Sequence, residues 1–264
     1  MSNLGDISSA IISRACGPIM TLSINRPEKR NSLTKAMWLE LAEMMERLGA
    51  EKAIRGIILT GEEGCFSAGA DISEFESARS GAMAAQAYDD AVDACCRAIE
   101  RCAKATIAVV DGACIGGGVA LAMACDFRIV TPRAVFGVPA ARLSIVYSEY
   151  NTRKLVALCG ISEAKKILFT GDRMKAEEAL EIGLADRVSP AAMDDALAMA
   201  GAISKNAPLS IAAAKLILAR LVGAQSEIAR DAIFSAIRLA SNSQDAKEAR
   251  QAFKDKREPQ FVAA

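Results

Sequence analysis

The stretch from Thr106 to Cys125 constrains the fold of this chain more than any other. The run Thr106 to Val110 leads through Asp111-Gly112 and Gly116-Gly117-Gly118 into a second apolar run, Val119 to Cys125. The first run is rich in β-branched residues and reads as a buried strand, whereas the second, built from Ala, Leu and Met, reads as a buried helix. Glycines between them permit a sharp connection. A strand feeding a buried helix through a glycine turn is the building unit of an α/β fold.

The rest of the first half repeats the alternation. Ile19 to Ile24, Arg55 to Thr60 and Phe127 to Val130 read as strands, and Thr34 to Gly49 and roughly Ala84 to Ala103 as helices. Beyond Ile161 only helical patterns remain: Ser162 to Thr170, Lys175 to Ile182, Ala191 to Lys205, Leu209 to Leu221 and Glu227 to Ala240, with a break at Asn206-Ala-Pro208. We therefore expect a core over residues 1–195 and a helical region over 196–264. At 264 residues, about half of them apolar, the chain can bury a full-sized core.

What is missing narrows the chemistry. The chain has no histidine. That removes Ser-His-Asp and Cys-His catalysis and most catalytic zinc sites, leaving carboxylates, tyrosines, lysines, thiols or water to move protons. Thirty-two basic residues balance thirty-two acidic ones. No global field therefore gathers nucleic acid or a membrane surface. Eight cysteines without a CxxC pair suit a reducing cytoplasm. The N-terminal residues lack the order of a signal peptide, and the run Gly112 to Cys125 is too short to span a bilayer, so a soluble, cytoplasmic protein is expected. Neither G-x-x-x-x-G-K-[ST] nor G-x-G-x-x-G occurs, and no acidic or cysteine cluster has metal-ligand spacing.

Two segments invite a ligand. Cys65-Phe-Ser-Ala-Gly-Ala-Asp71 follows the strand Arg55 to Thr60 and is small enough for close approach to its backbone. In Asp111 to Gly118, the free N–H groups of the following helix favour negative charge. Either segment alone is also consistent with a plain tight connection.

Taken together, Asn25-Arg-Pro-Glu-Lys-Arg-Asn31, Phe66-Ser-Ala-Gly-Ala-Asp71, Asp111-Gly112, Gly116-Gly-Gly118, Cys125-Asp126 and Phe136-Gly-Val-Pro139 resemble the motif series of the crotonase (enoyl-CoA hydratase/isomerase) superfamily. The similarity continues through Ile167-Leu-Phe-Thr-Gly171 and Asn206-Ala-Pro208. It implies a crotonase spiral of ββα units with a C-terminal α-helical trimerisation region, assembled as a homotrimer or as a hexamer of paired trimers. It also implies an acyl-CoA substrate whose thioester oxygen is gripped by the backbone N–H groups of Ala70 and Gly117. Coenzyme A would pass near Lys29 and Arg30, its adenine held by the backbone around Ala68, Asp71 and Ile72. No separate cofactor is implied, since coenzyme A is part of the substrate.

One departure matters. The positions that carry catalytic glutamates in true hydratases are Ala120 and Ala140 here. Hydration needs one group to activate water and another to protonate the α-carbon, and alanine does neither. The resemblance then favours an isomerase or decarboxylase working through a stabilised enolate, with Tyr147 as the first candidate to orient a carboxylate or protonate the enolate. Glu149 is the candidate base for an isomerase. Against these stand a packing role for Tyr147, a solvated Glu149, and a non-catalytic acyl-CoA-binding or scaffold protein. The stretch Ser73 to Asp93 is expected to form a lid, with Met83 and Tyr88 lining the acyl site. Asp71, Asp126 and Trp38 read as structural.

Overall fold

The computed structural model describes residues 10–74, 82–143, 145–222 and 242–262, together with residues 232, 235, 238 and 239. Strands β1 (Ile11–Cys16) and β2 (Ile19–Ile24) form an antiparallel hairpin, followed by helix α1 (Lys35–Ala50). Next come β3 (Gly56–Gly61) and α2 (Ala82–Arg101), then β4 (Ala105–Val110), β5 (Ala113–Ile115) and α3 (Gly117–Ala124). Strands β6 (Phe127–Val130) and β7 (Val135–Gly137) precede the long helix α4 (Glu149–Thr170). The remainder is β8 (Arg173–Lys175), α5 (Ala176–Glu181), β9 (Arg187–Val188), α6 (Ala192–Ser204), α7 (Pro208–Leu221) and α8 (Gln244–Asp255).

The strands divide between two sheets, one ordered β1-β2-β3-β4-β6-β9 and the other β5-β7-β8. Successive units thus send β4 and β6 to the large sheet and β5 and β7 to the small one before each helix, which is the spiral of ββα turns expected from the sequence. From β2 onward the large sheet is parallel. Its central strands are buried on both faces, which explains why they read as unbroken apolar runs. Leu22, Ile57, Leu59, Ala108 and Val110 pack with α1 and α2 in the main core. Ile58, Ile107, Val109 and Ile129 turn the other way, against Ala192, Ala196 and Ala200 of α6.

That last contact corrects the expected domain boundary. A break at residue 195 falls inside α6, whose alanines recur every four residues as a flat ridge closing the second face of the sheet. The helix belongs to the core, and the chain leaves it at Asn206-Ala-Pro208. Several elements were not read from the sequence: β1, the short strands β5, β7, β8 and β9, the first half of α4, and α8. β1 is exposed along most of its length and lacks an apolar signal, and the first half of α4 is separated from the rest by Gly160, whose φ of 75° interrupts the helix. The helix expected over Glu227 to Ala240 lies largely outside the described residues, as do residues 75–81 of the expected lid and the side chain of Met83.

Among the described residues no helix is long and apolar enough to cross a membrane, and no group of acidic or cysteine side chains could hold a metal ion. All eight cysteines are free thiols. Complete burial pushes those of Cys96 and Cys114 well above the usual thiol range.

Candidate active site

The loop after β3 is held by two short parallel bridges. In one, Ser67 N donates to Ala113 O at 2.9 Å and Ile115 N to Ser67 O at 2.9 Å, which extends the small sheet. In the other, Leu33 N donates to Gly69 O at 2.8 Å and Asp71 N to Leu33 O at 2.9 Å. These bonds use the peptide groups on either side of Ala70. The N–H of Ala70 itself, one residue out of phase, faces away from Leu33.

On that opposite side lies the start of α3. A Cβ on Gly117 would sit 3.4 Å from Ala70 N, and one on Gly69 would sit 2.8 Å from Gly117 N. By bond geometry the two nitrogens are within about 6 Å of each other. Among the described residues neither N–H has a hydrogen-bond acceptor, while the neighbouring Gly116 N donates to Gly137 O at 2.8 Å. Two unpaired amides converging at a helix N-terminus can hold an oxygen that gains negative charge.

Both amides open onto one cavity of about 170 Å³, also lined by Ala68, Ala120, Ala140 and Tyr147. The two alanines therefore face the space where chemistry would occur. Tyr147 donates its hydroxyl to Gly116 O at 3.2 Å, and burial pushes its phenol well above the ordinary tyrosine value. Gly116 O belongs to the same peptide group as Gly117 N–H. The Tyr147 proton is thus directed at the back of that amide rather than into open space.

Trp38 and Tyr88 brace the site from α1 and α2. Trp38 is fully buried, its indole N–H donating to Tyr88 OH at 3.3 Å, and Tyr88 in turn donates to Leu33 O at 2.9 Å. Leu33 is the residue that fixes the Ala70 loop. The tyrosine reaches the cavity lining as the sequence suggested.

The other expected residues are placed differently. Glu149 is exposed in the first turn of α4 and is absent from the cavity lining, which corrects its reading as a base there. An acid at that position matches the helix dipole instead. Lys29 and Arg30 are exposed on a short 3-10 turn outside the cavity. Ala68 N donates to Arg30 O and Asp71 N to Leu33 O, both at 2.9 Å, so these two N–H groups are already committed within the fold. Ile72 opens a 3-10 turn beside them. The Asp71 carboxylate accepts from Arg26 at 2.6 Å and from Ser73 N and Oγ at 2.9 and 2.7 Å. Asp126 likewise has structural partners, accepting from Thr106 N and Lys215 Nζ, both at 2.7 Å.

One residue escaped the sequence reading. Asp93 of α2 is half-buried and lines the cavity, its Oδ1 accepting from Ser148 Oγ at 2.7 Å and Asn151 Nδ2 at 3.0 Å. Burial lifts its carboxyl above the ordinary aspartate value, with a further rise from Asp90, and this outweighs the Ser148 hydrogen bond and the charges of Arg97 and Arg153. Its signal was its place in α2, beside the buried stripe Ala91, Cys95, Cys96 and Ile99.

With this geometry in view, the comparisons decide the family. The family model described as enoyl-CoA hydratase/isomerase matches residues 15–263. The chain belongs to the enoyl-CoA hydratase/isomerase family. Among similar members, a crotonyl-CoA hydratase of Syntrophomonas wolfei subsp. wolfei is 34% identical over 250 residues, covering 93% of this chain and 95% of that one. A probable enoyl-CoA hydratase, echA6, of Mycobacterium tuberculosis is 34% identical over 248 residues, covering 93% and 96%. Among solved structures, a putative enoyl-CoA hydratase/isomerase family protein from Hyphomonas neptunium superposes with a TM-score of 0.90 at 35% identity, covering 97% of this chain and 99% of that one. This member of the family therefore has the crotonase fold from end to end of its core.

Proposed function

We propose that this protein is an acyl-CoA enzyme that stabilises a thioester enolate between the amides of Ala70 and Gly117, and that it isomerises or decarboxylates its substrate rather than hydrating it with two glutamates. The observation that carries this reading is the pair of unpartnered N–H groups facing a cavity whose walls bear alanine at 120 and 140. Donors preorganised towards developing charge stabilise the transition state more than the ground state, and each is worth about 3 kcal/mol. Coenzyme A would pass the exposed Lys29 and Arg30 and lay its adenine along the backbone of Ala68, Asp71 and Ile72.

Tyr147 acts in this reading through the Gly116–Gly117 peptide. A hydrogen bond to a carbonyl polarises the amide and makes the N–H on its far side a better donor. A neutral phenol held in place also gives the enolate a nearby proton source once substrate displaces that bond. As a homotrimer or a pair of trimers, the assembly would use the helical region beyond Asn206.

The alanines also support a second reading, a non-catalytic acyl-CoA binder or scaffold. Incubation with crotonyl-CoA, a 3-enoyl-CoA and methylmalonyl-CoA separates the two. Conversion of the second or third, lost in Gly117→Ala, is the expected result. Tight acyl-CoA binding measured by calorimetry, with no conversion of any of the three, would establish the binder.

A further inference from the structure

We propose that Asp93 is the catalytic carboxylate of this site, the group that takes a proton from the substrate's α-carbon and returns it elsewhere on the acyl chain. The inference rests on the enolate reading and narrows it to double-bond isomerisation. The carboxyl chemistry absent from positions 120 and 140 is supplied by α2, which lines the same cavity.

Among the described residues, four side chains with acidic protons or charges line the cavity: Tyr88, Asp89, Asp93 and Tyr147. The two phenols are committed to Leu33 O and Gly116 O. Of the acids, Asp93 is the one held at the start of α4, between Ser148 and Asn151. Both bonds fall on Oδ1, and Oδ2 has no partner among the described residues.

The character of those partners sets Asp93 apart. Asp71, Asp111 and Asp126 are each paired with a cation, Arg26, Arg133 and Lys215. A serine hydroxyl and an asparagine amide are uncharged and can each donate or accept. Asn151 is 3% exposed, and its Oδ1 is buried without any hydrogen-bond partner. While Asp93 is ionised, Asn151 Nδ2 faces it and Oδ1 stays unmet. When the carboxyl carries its proton on Oδ1, a half-turn of the amide lets Asn151 Oδ1 accept that O–H, and while the proton sits on Oδ2 the existing bonds to Oδ1 are kept. The cluster therefore has an arrangement for each protonation state, as a proton carrier needs and a fixed structural acid does not.

The step balances without any further reactant. Asp93 Oδ2 removes a proton from C2 of a 3-enoyl thioester, and the C–H electron pair moves into the thioester to give a dienolate whose oxygen rests between Ala70 N–H and Gly117 N–H. The neutral Asp93 then donates the same proton to C4. The electrons return from oxygen, leaving a 2-enoyl thioester and the carboxylate restored.

The test separates this assignment from the enolate reading. Exchange of α-protons of a saturated acyl-CoA in D₂O, followed by NMR, reports proton removal alone, and 3-enoyl-CoA turnover reports the whole reaction. Asp93→Asn should slow both by about 100-fold or more, with acyl-CoA affinity unchanged. In the wild type, kcat/KM should rise with pH as Asp93 ionises, and this limb should vanish in the variant. Arg97, Arg153, Asp90, Cys96 and Tyr147 surround the group and set where the limb falls. If Asp93→Asn does not fold, Asp93→Glu, which moves the oxygens by one methylene, should still exchange but more slowly. Wild-type exchange rates in a folded D93N or D93E would overturn the assignment while leaving the enolate intact, as would loss in Asp89→Asn alone. No exchange by the wild type would overturn both.

Discussion

The amide nitrogen of Gly117 lies 2.8 Å from where a methyl group on Gly69 would be, although 48 residues separate the two in the chain. The same methyl would stand 2.5 Å from Ile115 O, and Gly69 has a φ of 88°. Any side chain at 69 is therefore both strained and in the way of the site. Gly69→Ala should cost about 2–4 kcal/mol by combining an unfavourable backbone with overpacking. Urea denaturation measures the loss, and calorimetry on the folded fraction should show weakened acyl-CoA binding.

Gly117→Ala poses a milder problem at the same place. Its methyl would approach the Trp38 ring at 3.0 Å and cover Ala70 N at 3.4 Å. The indole is fully buried and must shift to admit it, so a loss of about 1–2 kcal/mol in stability is expected. Turnover should fall further, by about 100-fold, because the space for the thioester oxygen is filled. Comparable losses in Leu41→Ala, a buried α1 residue outside the cavity lining, would show that stability alone explains the effect.

Tyr147→Phe removes the hydroxyl that reaches Gly116 O while keeping the ring. A neutral hydrogen bond contributes about 1 kcal/mol, so kcat should drop roughly 5–10-fold if the bond acts through the peptide, with KM unchanged. A drop beyond about 1,000-fold would instead mark Tyr147 as the direct proton donor.

The sequence made the two glycine-containing loops legible and hid Asp93, for physical reasons. The role proposed for Ala70 and Gly117 is a backbone one, and the small residues around them leave a compositional trace in Phe66 to Asp71 and Gly116 to Gly118. The strands β2, β3, β4 and β6 were legible because burial on both faces makes them uniformly apolar. Asp93 was hidden because which side of α2 meets the cavity depends on α1, α3 and α4 packing round it, and an acid beside an apolar stripe looks like an ordinary surface residue. Glu149 misled for the converse reason. Proximity in sequence to Tyr147 suggested the site, but a helix starting at that residue turns it outward. The boundary near 195 failed because alanines at 192, 196 and 200 carry little hydrophobic signal, yet they pack flat on the sheet.

Asn31 shows how a motif can be structural throughout. It is fully buried at a φ of 54°, its Oδ1 accepting from Arg26 N at 2.8 Å and its Nδ2 donating to Glu62 O and Cys65 O at 2.9 and 2.6 Å. Its own carbonyl accepts from Ser67 Oγ at 2.7 Å, so it joins the loops on either side of the site. Asn31→Ala leaves three polar groups unmet and a left-handed residue without its side-chain support, with an expected cost of about 3–4 kcal/mol. Thermal denaturation would register this as a large fall in midpoint, and Asn31→Asp should recover only the Arg26 contact.

Asp71 gives the site an acid limit. Burial alone would raise its carboxyl, but the Ser73 hydrogen bonds and the Arg26 guanidinium outweigh that and hold it at about 2. An unfolded aspartate titrates near about 3.9. The depressed value means that the unfolded chain takes up the proton first as pH falls. The stabilisation is therefore complete above about pH 4 and drains away towards pH 2, amounting to about 2 kcal/mol for this buried pair. Because Asp71 follows Ala70 directly, the loop carrying one of the two amides loosens over the same range. Urea midpoints between pH 4 and pH 2 should fall less steeply in Asp71→Asn than in the wild type. Parallel slopes would mean that the Arg26 contact contributes nothing, and that the Ala70 loop is held by the Leu33 bridge alone.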